Sequence, residues 1–268
     1  MPDVFADINA APDEMLDIIM GILEARAAIP AQRAMLHDYL SDITFRDKAK
    51  VLEVGCGTGP VARVIAQWPN VGQVIGVDPS PKFLAKAQEL ADGISGLEFE
   101  EGDGTALRFE DEAFDVVILH TLLSHIPEPE GVLAEAHRVL KPDGILGWCD
   151  GDFSTASVAL GDDDPLEACV TATIKNIAHD KWMVRRIQPM LKAAGFKVGA
   201  LKSYGLVETE DPSVTMSWIE RGADALVVEG RIGEKLADAL KAEGRRRAEA
   251  GTFFGYMAYA ALTARKAA

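Results

Sequence analysis

Two spacings of apolar residues divide the chain. Met15, Ile18, Ile19, Ile22 and Leu23, then Met35, Leu36, Tyr39 and Leu40, recur every three or four positions, which predicts two amphipathic helices across 13–40 with Pro30 opening the second. From residue 50 short apolar runs alternate with helical patterns: strands at Val51–Val54, Val74–Val77, Leu97–Glu100, Val116–Leu119 and Ile145–Cys149, and helices at 60–67, 81–91 and 129–140. Such alternation requires a mainly parallel sheet with helices on both faces, so the fold class is α/β. Ligands of these sheets sit beyond the carboxyl ends of the strands. After Asp150 the rhythm breaks. Phe153–Leu160 and the acidic turn Gly161-Asp162-Asp163-Asp164-Pro165 read as an insertion, followed by helical patterns at 166–179, 182–194, 212–222 and 230–249. A sixth strand is expected at Phe196–Tyr204 and a seventh at Thr252–Thr263. With no repeat and no low-complexity linker, 1–268 is read as one domain: a helical extension (1–47), a core (48–150), and the rest of the sheet with helical covers (151–268).

The chemistry concentrates where the first strand ends, in Val51-Leu52-Glu53-Val54-Gly55-Cys56-Gly57-Thr58-Gly59-Pro60. Three glycines at alternate positions allow a tight turn and close approach of a ligand to the main chain, and Pro60 suits a first helical position. The next strand ends in Asp78, about twenty positions on, where a carboxylate can accept both hydroxyls of a ribose. A phosphate-cradling loop requires Gly-Lys-Ser/Thr, which does not follow Gly59, and a nicotinamide loop requires glycine where Pro60 stands.

The pattern E-x-G-x-G-x-G, with Glu53 leading, resembles the first motif of the class I S-adenosylmethionine-dependent methyltransferases. Three further segments are similar to that family in its order: the adenine-contacting turn at Gly102-Asp103-Gly104-Thr105, a fourth strand at Asp115–His120, and a helix and turn at Glu135–Gly144 ahead of strand five. The resemblance covers roughly 48–150. It implies a Rossmann-like, seven-stranded sheet whose last two strands form an antiparallel hairpin, with an N-terminal extension and helical covers. It implies S-adenosyl-L-methionine as cofactor, held by Glu53, Gly55, Gly57, Gly59, Asp78, Asp103, Gly104, Thr105 and His120.

Charge narrows the acceptor. Acidic residues outnumber basic ones 42 to 27, a formal charge of −15, and that field repels nucleic acid. Arg245-Arg246-Arg247 sits in a mixed-charge helical stretch and reads as a solvated face. No apolar run reaches the ~20 residues of a membrane span, and Met1-Pro2-Asp3-Val4 is unlike a signal peptide, so a cytoplasmic protein is expected. Cys56, Cys149 and Cys169 are odd in number and lack ligand spacing, so neither disulfide nor zinc is expected. Thr121–Ile126 lacks the Asp/Asn set of the family's metal-dependent catechol-type members, and Ile126-Pro127-Glu128-Pro129 departs from the motif of those acting on nucleobase amines. No metal is expected, and a small organic molecule is the expected partner. Nothing in the sequence sets the oligomeric state.

Two histidines follow the fourth strand. His120 is read as lining the cofactor, and His125 is the candidate general base. His179, Asp180, Trp182, Arg185 and Arg186 form a second polar group, a candidate for recognising an anionic acceptor with Arg185 pairing a carboxylate, but read in preference as a helix C-terminus followed by a solvated face. Phe253, Phe254, Tyr256 and Tyr259 are a candidate aromatic wall, or core. The expected function is methyl transfer from S-adenosylmethionine to a small organic acceptor through oxygen, nitrogen or carbon. The rivals are a non-catalytic cofactor-binding interaction protein and a nicotinamide oxidoreductase, the latter opposed by Pro60 and Asp103-Gly104.

Overall fold

A computed structural model describes residues 8–210 and 212–267. Helices α1 (Asp13–Ala28) and α2 (Pro30–Ser41) precede the sheet, as the apolar spacing predicts. The central strand β1 (Ala49–Val54) pairs in parallel with β2 (Val71–Asp78) and with β4 (Phe114–His120), and β3 (Leu97–Glu101) lies outside β2. Val51, Leu52 and Val54 are buried on both faces of β1, which is why this strand reads as an unbroken apolar run. The crossover helices α3 (Pro60–Ala66), α4 (Pro81–Leu90) and α5 (Pro129–Val139) all start on proline, which gives up no hydrogen bond there.

Strand β5 (Leu140–Ser157) lies parallel to β4 and is far longer than expected. It takes in the turn at Asp143, which has φ of 60°, and runs on through residues assigned to an insertion. The last strand supplies the reason: it pairs antiparallel with β5 from Ile145↔Arg265 to Ser157↔Tyr256, giving the extension a ladder.

Beyond β5 come α6 (Leu166–Ile177), α7 (Met183–Ala193), the short strands β6 (Phe196–Val198) and β7 (Lys202–Glu208), α8 (Ser213–Val228), α9 (Glu234–Glu249) and β8 (Gly255–Lys266). The sheet order is β3-β2-β1-β4-β5-β8-β6, with β7 also on β8, so the described residues hold eight strands rather than seven. The extra strand is the expected sixth one broken in two. Val198 faces Ala264 and Lys202 faces Ala261, so one chain advances four residues against three, as at a β-bulge.

One apolar cluster packs α2, α3, α6 and α8 on one face of the sheet, and a second packs α5 and α7 on the other. A third joins Leu16 and Ile19 of α1 to Phe83 of α4. Helices α6 and α8 cross so closely that a side-chain carbon on Gly222 would lie 1.9 Å from Cys169 O. The Arg245–Arg247 expectation is corrected in part. Arg247 is only 11% exposed and grips Asp164 with two bonds of 2.6 and 3.1 Å, because the acidic turn folds against α9; Arg245 and Arg246 face solvent.

Candidate cofactor and acceptor site

Gly55, Gly57 and Gly59 have φ of 72°, 54° and 75°, the left-handed region in which a side chain is strained. The loop they form carries the chain from β1 into α3. Gly55 N and Cys56 N donate to Val77 O at 2.8 and 3.0 Å, which ties the loop to the end of β2. There Asp78 is buried, its Oδ2 accepting from Gly57 N at 2.8 Å and its Oδ1 from Ser80 N at 2.9 Å. Burial pushes its pKa up to about 6, against the pull of those two bonds.

Glu53 lies within β1, 2% exposed. Burial raises its pKa well above the carboxylate range although the Ala62 backbone N–H donates to it, and Oε2 has no hydrogen-bond partner. The Asp103-Gly104-Thr105 turn follows β3 at the surface, with Asp103 Oδ1 accepting from Thr105 N and Oγ1, both at 2.8 Å. A carbon on Gly104 would come 2.8 Å from Val54 Cγ1, so the turn rests on the end of β1.

His120 ends β4, its Nδ1 3.0 Å from Tyr39 Oη with the two rings stacked 5.8 Å apart. Burial, helped by the charge of Arg26, lowers its pKa to about 3, so the imidazole is neutral. Thr121, next in the chain, has φ of 50°, a strained value for a β-branched residue, and its Oγ1 accepts from Arg26 Nη2 at 2.9 Å.

Helix α1 straps the glycine loop. Thr58 Oγ1 and Arg63 Nη2 donate to Glu24 at 2.6 and 2.7 Å, and Arg63 Nη1 donates to Thr58 O at 2.7 Å. A carbon on Gly57 would lie 3.1 Å from Leu23 Cδ1, and one on Gly55 would lie 2.6 Å from Leu122 Cδ1. The tips of Leu23 and Leu122 thus pack where side chains at these two positions would go. Sequence reasoning missed Glu24, Arg26, Thr58 and Thr121. No linear signal marks them, since the Glu24–Thr58 and Arg26–Thr121 partners lie 34 and 95 residues apart.

His125 closes a 3-10 turn, Leu123–His125, is 8% exposed, and meets Phe153 edge-on at 5.9 Å. Beside it Asp150 is fully buried, accepting from Ser124 N and Oγ at 3.1 and 2.8 Å and from Gly151 N at 2.9 Å. Burial raises the Asp150 pKa, and the nearby His125 draws it back down. Asp150 is a fifth residue that the sequence did not single out.

The group around Arg185 differs from expectation. Helix α6 ends at Ile177, so Arg185 and Arg186 occupy the first turn of α7 rather than a helix C-terminus. Arg185 lies 3.5 Å from Asp152, donates to Ser154 Oγ at 2.8 Å and stacks over Trp182, while Arg186 pairs with Asp180. The aromatic wall is not continuous: Phe253 and Tyr259 are buried, and Phe254 is 38% exposed.

Residues 52–147 match the family model described as a methyltransferase domain. A sterol 24-C-methyltransferase of Gibberella zeae is 32% identical, over 76% of this chain and 52% of its own. A demethylmenaquinone methyltransferase of Lactobacillus johnsonii is 36% identical, over 54% and 58%. Among solved structures, the cyclase SpnF is 25% identical with a TM-score of 0.59, covering 90% of this chain and 85% of that one. The chain spans between 30% and 58% of the length of the curated relatives it matches. Fold, motifs and these likenesses agree: residues 52–147 are a methyltransferase domain, and the chain is similar to the class I S-adenosylmethionine-dependent methyltransferases, a family of enzymes whose cofactor is S-adenosylmethionine.

Proposed function

We propose that this protein, acting as one methyltransferase domain, transfers a methyl group from S-adenosylmethionine to a small organic acceptor. The observation that carries the reading is one of position. The glycine loop, Asp78, the Asp103–Thr105 turn and His120 come from four separate strand ends and meet along one edge of the sheet. Relatives named for a sterol and for demethylmenaquinone support a small acceptor, and the charge of −15 disfavours nucleic acid. No described helix is long and apolar enough to cross a membrane.

Bound at this edge, S-adenosylmethionine supplies a methyl on a positively charged sulfur, open to in-line displacement. Gly55, Gly57 and Gly59 would let the ligand approach the main chain, Asp78 would accept from the ribose hydroxyls, and Asp103, Gly104 and Thr105 would face the adenine. Glu53, buried in β1 and linked to the Ala62 backbone, ties the end of the strand to helix α3 behind the loop. Alignment of acceptor and methyl by the strap and the covers is worth on the order of 7 to 11 kcal/mol where orientation is ideal. His120 lines the site and orients; with a pKa of about 3 it is a poor proton acceptor. His125, beside the buried Asp150, takes the acceptor's proton, a contribution of about 10²–10⁴-fold.

The likeness to a cyclase favours one rival, a cofactor-binding fold that moves no methyl. Methyl-labelled S-adenosylmethionine incubated with phenols, amines and carboxylic acids separates the two. Labelled product together with S-adenosylhomocysteine is expected; donor that binds but is never consumed supports the rival.

A further inference from the structure

A cavity of about 150 Å³ opens at the end of the sheet opposite the glycine loop, where the parallel strands begin. Thr44 and Arg46 from the segment before β1, Asp115 of β4, Asp143 and Ile145 of β5 and Arg265 of β8 line it. Methyl transfer makes no use of this end, because Gly55, Asp78 and His120 lie where the strands finish. The cations around the cavity are poorly matched. The Arg46 side chain is 57% exposed and reaches a carboxylate, Asp115, only at 3.9 Å. Arg265 donates from Nη1 to Asp143 O at 2.8 Å and, among the described residues, has no carboxylate within ion-pair distance. Across the ladder it stands opposite Lys197 of β6, and like charges so placed repel. The inner carboxylate is already taken: Asp115, 11% exposed, accepts from Lys50 N at 3.0 Å and from Lys141 Nζ at 2.9 Å. Arg46, Lys141, Lys197 and Arg265 thus outnumber Asp115 and Asp143 by four to two, in a chain whose formal charge is −15.

We propose that this cavity binds a small oxyanion, a phosphate or carboxylate group, between Arg46 and Arg265. A guanidinium presents five N–H donors in a planar fork that matches two oxygens of such a group. Arg265 spends one of its donors on Asp143 O, and Arg46 has only its long ion pair. An anion here meets attraction from Arg265 and Lys197 where the two now repel each other, and a neutral or cationic ligand gains nothing from them. The volume is several times that of one water, enough for one such group. The site is separate from methyl transfer and does not rest on it.

The test is calorimetric titration of the full chain with inorganic phosphate and, in a second arm, with succinate, at low ionic strength so that screening is weak. Wild type is expected to take up at least one of them at one site per chain, and the tighter arm tells phosphate from carboxylate. Arg46→Gln and Arg265→Gln are each expected to weaken that binding about 10-fold, with Tm and S-adenosylhomocysteine affinity held. Arg245→Gln, whose arginine pairs with Glu220 outside the cavity lining, is expected to bind the anion as wild type does. No uptake of either anion by wild type, undiminished affinity in both cavity variants, or an equal loss in Arg245→Gln overturns the proposal. Failure of wild type to take up S-adenosylhomocysteine overturns the methyl-transfer reading and leaves the anion result to be read by itself.

Discussion

The two halves of the sheet build polar sites by different means. On the side of β1 to β4 the site is made by the backbone: glycines at left-handed φ, main-chain N–H groups on Asp78, and a surface turn closed by Asp103. On the side of β5 to β8 it is made by side chains from distant elements, with Ser124 against Asp150 and Arg185 of α7 against Asp152 and Ser154 of β5. A backbone site requires fixed residue types at fixed spacing. A side-chain site requires only that several elements converge, and many sequences achieve that. The first kind suits a cofactor common to a family, and the second an acceptor that differs from member to member.

Substitutions that act on one half and spare the other probe this division. Gly55→Val places a β-branched side chain at φ of 72° and against Leu122, and is expected to reduce S-adenosylhomocysteine affinity about 100-fold or more by calorimetry, equivalent to about 3 kcal/mol. Arg247→Met strands the buried Asp164 carboxylate in the other half. It is expected to cost about 3 kcal/mol of stability, seen as a Tm lower by roughly 5–10 °C, with cofactor affinity intact. Loss of cofactor affinity in that variant would break the division.

Asp78→Asn keeps the shape but removes the charge and is expected to weaken S-adenosylhomocysteine on the order of 10–100-fold. In wild type that affinity is expected to rise with pH through about 6 and then level off, since the ionised carboxylate is the better acceptor. Stability of the ligand-free protein moves the other way. The folded form keeps this proton up to about 6, above the ordinary carboxyl value of 3.8, so the contribution is full below 3.8 and lost as pH rises through 6. Titrations from pH 5 to 8 check the binding step, which the Asp78→Asn variant is expected to lack. The smallest effect is that of Glu24→Ala, which frees Thr58 and Arg63 from α1 and is expected to speed cofactor dissociation about 3- to 10-fold in stopped flow, for a partly exposed charged bond worth about 1 kcal/mol.

The same division sets what the sequence revealed. The strands β1 to β4, their proline-led helices, the glycine loop and Asp78 were all legible, because periodicity and φ requirements are local properties of the chain. The broken sixth strand was not, since the bulge between Val198 and Lys202 depends on a partner strand more than fifty residues further on. The length of β5 was hidden for the same reason: its extension exists because β8 pairs with it. Arg247 read as solvent-facing because its partner, Asp164, is 83 residues away in an acidic turn. Charge composition bears only on the proposed class of acceptor.

The most direct test of the central claim is a calorimetric titration of wild type and Gly55→Val with S-adenosylhomocysteine at pH 8. The account predicts one site per chain in wild type and a binding signal reduced about 100-fold or more in the variant at an unchanged stoichiometry of folded protein. Wild type that takes up no S-adenosylhomocysteine, or a variant that binds it as tightly, would contradict it.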